Sequence, residues 1–241
     1  MVSDTMSNGF VASGHIAGRS ALEVGLPVHV AAATDDLLAR YRDVRSRTAR
    51  LTAPLSAEDQ VVQSMSDTSP TKWHRAHTTW FFAEFVLGAD GTSGQVWDRP
   101  EYRFLYNSYY EAVGARHPRP DRGLVTRPSI AEVADYRTHV DDAVEHLLTR
   151  GVSPSVAAVL ALGTHHEEQH QELLLLDIKH VLSMNPAVGP AYVDVVAPAA
   201  VDPGPIGWVE FDGGIAEIGR GCSDADSLSG FAFDNEGPCH E

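Results

Sequence analysis

"SPSVAAVLALGTHHEEQHQELLLLDIKHVLSMNP", residues 153–186, decides the fold class. Ser153 is a natural N-cap, Pro154 suits a first helical turn, where its missing N–H costs nothing, and Pro186 stands beyond the far end. A helix over the whole stretch runs on the order of 48 Å, at about 1.5 Å per residue. His166 and His170 are four apart, hence roughly 40° apart around the axis, so both imidazoles leave one face and can share one ion. Leu162, Leu173 and Leu174 lie on or close to the same side, which turns the pair toward the interior of a bundle. Buried histidines need partners there.

Working outward, three further helices are legible. "TDDLLARYRDVRSRTARL" (34–51) begins at Thr34 as an N-cap and spaces Leu37, Leu38, Tyr41, Val44 and Leu51 along one stripe. "SAEDQVVQSM" (56–65) starts at a cap-like Ser56 and reads as a short helix. It leads into "SPTKWHRAHTTWFFAEFVL" (69–87), where Pro70 opens a helix spanning 70–87. "SIAEVADYRTHVDDAVEHLLTRG" (129–151) carries an S-x-x-E capping box in Ser129 and Glu132 and ends on Gly151. Residues 88–128 are irregular and hold the Pro/Arg segment "ARHPRPDRGLVTRP". Four long helices so connected predict a mainly α chain, a four-helix bundle.

The bundle occupies 31–186. Residues 1–30, Gly/Ser-rich and without helical periodicity, read as a mobile tail in which Met6 offers an alternative start. Residues 187–206 are a Pro/Gly-rich linker. From 207 to 241 the texture is that of a second, incomplete α+β domain, in which "WVEFDGGIAEIGRG" alternates like short strands about a Gly-Gly turn.

Composition excludes several classes. A net charge of −15 opposes binding to a phosphate backbone, so no nucleic-acid partner is expected. No basic-then-apolar leader and no apolar run of about 20 residues is present, so no membrane association is expected. Cys222 and Cys239 are too few for a disulfide scaffold, which favours a cytoplasmic setting.

A third ligand for the histidine pair comes from "WHRAHTTWFF": His77 is the first choice and His74, three residues earlier, its rival. Metal sites in bundles are built across facing helices, and three imidazoles leave coordination positions open. His165 and His180 are offset from this face, and His139 and His146 sit seven apart on the third long helix; all four read as structural. The same letters offer an alternative, because His166-Glu167-Glu168-Gln169-His170 matches the H-E-x-x-H of zinc peptidases with Glu167 as general base. The extended form of that motif fails, with Leu173 in the glycine position and Leu176 in the last histidine position.

"SPTKWHRAHTTWFF", "NSYYEAVGARHPRPDRG" and "HHEEQHQELLLLDIKH", in this order, resemble the N-terminal DinB-like domain of ergothioneine-biosynthesis sulfoxide synthases of the EgtB type. "GWVEFDGGIAEIG" with "FAFDNEGPCHE" resembles the opening of the C-type-lectin-like, sulfatase-modifying-factor-like (FGE-like) domain that completes them. The resemblance runs from about residue 34 to the end. It implies a DinB-like bundle and oxygen-dependent C–S bond formation at a mononuclear non-haem iron, Fe(II), held by His77, His166 and His170. The implied substrates are hercynine, O2 and a thiol, γ-glutamylcysteine or cysteine. It further implies that Arg119 and Arg122 bind the thiol substrate's carboxylates, for which guanidinium forks are suited, and that Gln169 touches hercynine. Tyr109, Tyr110 and Trp80 read as core aromatics. Cys239 stands where the family has a basic residue. The catalytic tyrosine and much of the hercynine pocket are expected outside this sequence, which leaves catalytic residues unassigned here and implies a complementing C-terminal polypeptide or a chain inactive alone. A non-catalytic metal- or thiol-binding bundle and an ovothiol-type synthase acting on histidine are the other readings.

Overall fold

Predicted caps set the starts of two of the long helices. The computed structural model describes residues 30–91, 99–110, 113–187, 189–193, 199, 201–220 and 231–241. Helix α1 spans Val30–Thr52, α2 Thr71–Phe81, α3 Glu101–Tyr106, α4 Ile130–Thr149 and α5 Pro154–Ser183. The Ser129 hydroxyl accepts from the Glu132 N–H while the Glu132 carboxylate accepts from the Ser129 N–H, the reciprocal pair predicted. Ser153 caps α5 by accepting from the Val156 N–H, and Gly151, at φ 81°, supplies the left-handed turn between α4 and α5. The short helix expected over 56–65 shrinks to a 3-10 turn, Asp59–Val61, closed by the bonds between Ser56 and Asp59.

Three further helical expectations are corrected. α1 begins four residues before Thr34, so Thr34 is not its N-cap. The second helix does not continue regularly to residue 87, because Phe82–Leu87 winds as a π-helix. The stretch 88–128, expected to be irregular, holds the short helix α3, while its Pro/Arg segment forms no regular helix, as expected, but a 3-10 turn at Arg119–Leu124. The tail before residue 30, Met6, Cys222 and part of the loop after Gly88 lie outside the described residues.

The four long helices close on one another. α1 packs on α5, α5 on α2, α2 on α4, and α4 back on α1, while α3 lies against α2. The enclosed core runs from Tyr41 through Trp73, Trp80 and Phe82 to Val133, Val140, Val144 and Leu160. A polar layer is buried within it. Arg45, Thr48, Arg137 and Glu167 are all under 9% exposed, and the Glu167 carboxylate accepts from Arg45 (2.8 Å), Arg137 (3.1 Å) and Thr48 (2.6 Å). Asp141 completes it by accepting from Arg45 at 2.7 Å and the Tyr41 hydroxyl at 2.6 Å. Two predicted core positions differ: Leu173 and Tyr109 are exposed, whereas Leu174 and Trp80 are buried and Tyr110 packs against the core.

The chain divides into two units, Met1–Val188 and Gly189–Glu241. In the second, the expected hairpin does not form among the described residues. Only an isolated antiparallel bridge joins Ile218 to His240, beside a 3-10 turn at Asp234–Glu236, and Cys239 is disulfide-bonded. Trp208, Val209, Phe211 and Ile215 are all more than 70% exposed. An alternating strand is stabilised by a second layer on its apolar face, and these side chains are exposed. No helix among the described residues is long and apolar enough to cross a membrane.

Candidate metal centre

α2 and α5 cross with their histidines facing. Position 77 lies two helical turns inside α2, on its aromatic stripe, and the ring is clamped between Trp73 (centroids 4.5 Å, 13° between planes) and Trp80 (5.7 Å, 20°). Its Nδ1 lies 2.5 Å from the Tyr106 backbone carbonyl. A carbonyl only accepts, so Nδ1 carries the proton and the Nε2 lone pair points the other way. That lone pair faces Nε2 of His166 at 3.2 Å. His170, one turn on, has its ring centroid 4.6 Å from each of the other two.

These three residues form a set whose nitrogens lie within 4.8 Å of one another, with His77 buried and the others half-buried. Two imidazole nitrogens about 2.1 Å from one ion and roughly 100° apart would be separated by about 3.2 Å, so the His77–His166 spacing suits a shared cation. Burial holds all three imidazoles in the neutral, ligating form. It lowers His77 and His170 well below the usual histidine range, helped by the neighbouring imidazole, and brings His166 to about 4. Nδ1 of His166 is buried without a hydrogen-bond partner. The donor set fits a divalent transition metal, since imidazole suits zinc, copper, iron and nickel alike.

The rival, His74, does not join the set. Both of its nitrogens are engaged, Nε2 with the Asp177 carboxylate at 3.0 Å and Nδ1 with Nδ1 of His170 at 2.9 Å. Glu167, the base a peptidase would require, points about 100° away from His166 into the buried arginine layer. Burial alone would raise its pKa, but Arg45 and Arg137 hold it at about 2. A carboxylate with both oxygens bonded within the arginine layer is a structural anion.

Arg122 lies beside the cluster, buried, with its guanidinium 3.4 Å over the Trp73 ring that stacks on His77. It donates to the Ser69 and Ser108 hydroxyls at 2.9 and 3.1 Å, and Nε has no partner. No carboxylate among the described residues pairs with it, and burial and nearby Arg119 push its pKa down to about 9. Arg119 is exposed and donates to the Tyr109 hydroxyl at 3.3 Å. Gln169 is exposed on α5, turned away from the buried histidine side. Among the remaining histidines, His180 meets Ser64, His165 meets Arg40 and Glu168, and His139 bonds the Asp135 carbonyl, all outside the cluster.

The sequence reading missed the groups that hold the ligands. The Tyr106 carbonyl has no side-chain signature. Asp177 has one, because it lies seven residues, about two turns, beyond His170 on the same stripe of α5.

A family model described as DinB superfamily matches residues 40–174, more than half of the chain, and includes all three histidines. A comparison with curated proteins finds no match.

Proposed function

We propose that this chain, which belongs to the DinB superfamily, uses His77, His166 and His170 to hold Fe(II) for a sulfoxide synthase of the ergothioneine type. The reaction joins the thiol of γ-glutamylcysteine or cysteine to hercynine in the presence of O2. The observation that carries the reading is the three-histidine set with a buried guanidinium beside it that no carboxylate among the described residues pairs. A metal on three neutral protein ligands keeps positions for a thiolate and oxygen, and iron supplies the redox chemistry that zinc lacks.

The protein's own residues prepare that pocket. The Tyr106 carbonyl keeps the His77 proton on Nδ1. Trp73, Trp80 and Phe81, all buried, wall the rings from water, with Phe81 4.8 Å from His166. No carboxylate among the described residues lies within ion-pair distance of the buried Arg122 guanidinium, so the carboxylate of a cysteinyl substrate is a fitting partner for it. Arg119 offers a second, solvent-side donor for the same ligand. Support for Gln169 is weaker, since its side chain is exposed. The peptidase alternative loses support with Glu167 committed elsewhere.

Anaerobic loading of the chain with Fe(II), followed by O2 uptake and product mass with hercynine plus either thiol, tests the reading. A sulfoxide adduct names the thiol and establishes the synthase. Tight Fe(II) binding with no O2 uptake under any substrate pair would favour the non-catalytic bundle, and adduct formation on histidine instead of hercynine the ovothiol-type enzyme.

A further inference from the structure

His74 sits three residues before His77 in α2, one turn away on nearly the same face, yet it faces α5 at a different level. It is buried, as is Asp177. Asp177 Oδ2 accepts from the Ser69 backbone N–H at 2.8 Å and lies 3.0 Å from His74 Nε2. His74 Nδ1 in turn lies 2.9 Å from Nδ1 of His170.

The direction of each bond follows from the end of the chain. A carboxylate only accepts, so the proton between Asp177 and His74 rests on His74 Nε2. A neutral His74 then presents a lone pair at Nδ1, and His170 must donate its Nδ1–H to it. The nitrogen left free on His170 is Nε2, the counterpart of the Nε2 that the Tyr106 carbonyl leaves free on His77. Two ligands are thus set in the same tautomer by two different devices, a backbone carbonyl and a carboxylate–histidine pair.

We infer that His74, backed by Asp177, is a positioning residue that fixes the tautomer and ring orientation of His170 for metal binding. The inference rests on the reading of His77, His166 and His170 as metal ligands. It explains why a fourth histidine is buried at this site without joining the ligand set. Groups of this kind typically change metal affinity by about 10- to 100-fold.

The test is anaerobic titration of the full-length chain with Co(II) alone, following affinity and the visible absorption bands that report ligand geometry. His74→Leu keeps bulk and removes both hydrogen bonds. It is expected to weaken Co(II) binding about 10- to 100-fold and to alter the bands. His74→Gln retains an amide donor for Asp177 and a carbonyl acceptor for His170, and is expected to recover most of the affinity and the spectrum. Asp177→Leu removes the oxygen that accepts from both Ser69 and His74, tests the far end of the chain with a loss near the lower limit of that range, and carries the experiment if His74→Leu does not fold. Unchanged affinity and spectrum in His74→Leu or in Asp177→Leu would overturn the inference. So would His74→Gln binding as weakly as a folded His74→Leu, which would mark His74 as a space-filling residue. Failure of the unsubstituted chain to bind Co(II) or Fe(II) would instead remove the ligand reading itself.

Discussion

Glu167 and His166 are neighbours in sequence with opposite chemical fates. One step along α5 rotates the side chain by about 100°, enough to carry it from the histidine face to the arginine layer. There Arg45 and Arg137 hold it ionised in a fully buried site. Removing one member of a buried ion cluster leaves uncompensated charge, so Glu167→Gln should destabilise the chain by about 3–5 kcal/mol while leaving metal stoichiometry intact. Urea unfolding and metal analysis of the same sample check both halves. The pH dependence has a defined sign. With its pKa depressed from 4.5 to about 2, Glu167 contributes stability that is fully present above 4.5 and lost as pH falls through 2. That contribution is about 3 kcal/mol. The stability gap between the unsubstituted chain and Glu167→Gln should therefore shrink on acidification across this window. His77→Ala, His166→Ala and His170→Ala make the complementary set, each expected to abolish stoichiometric Fe(II) binding with the helical circular dichroism retained. Three variants that all bind Fe(II) normally would end the metal-site reading. At this scale the sequence was partly legible: the i, i+4 spacing of His166 and His170 placed two rings on one face. It could not say whether Glu167 faced inward with them, since H-E-x-x-H fixes spacing and not which neighbours a helix meets.

Helix ends were the most legible elements, because caps are local chemistry. Ser129 with Glu132, Ser153 with Pro154, and Gly151 each satisfy backbone groups within a few residues of themselves. Where tertiary packing intervenes, local rules lose their hold. The π-helix Phe82–Leu87 follows no sequence signal used above, and it lies where the end of α2 packs against α4 and α5. Gly163 on α5 faces that same junction. A Cβ there would lie 2.6 Å from a ring carbon of Phe82 and 2.9 Å from one of Phe81. Helix propensity alone favours alanine over glycine by about 1 kcal/mol. The clash is with rigid rings in a packed core, where overpacking costs about 1–3 kcal/mol, so the steric term prevails. Gly163→Ala should lower the unfolding midpoint, measured by thermal circular dichroism. Because Phe81 also lines His166, the variant should weaken metal binding too.

At the scale of the whole molecule, periodicity found the helices but overstated the strands. A helix satisfies its own backbone, whereas the alternation in "WVEFDGGIAEIG" becomes a sheet only with partners that a local pattern cannot supply. The consequence is an asymmetric distribution of apolar surface. Trp73 and Trp80 are each 2% exposed inside the first unit, and Trp208 in the second is 91% exposed. All three candidate ligands, His74, Asp177, Arg122 and the whole described core cluster belong to the unit that ends at residue 188. A chain shortened to residues 1–188 should therefore bind one Fe(II) or Co(II) with affinity unchanged within a few-fold. It should also lose the red-shifted, acrylamide-quenchable emission that Trp208 contributes. Metal titration and fluorescence quenching on one preparation separate the two effects. Retained affinity with lost quenching would make the bundle a self-sufficient metal carrier. A large drop in affinity would mean that residues 189–241 supply a ligand or stabilise the ligand set, and the three-histidine description would then be incomplete.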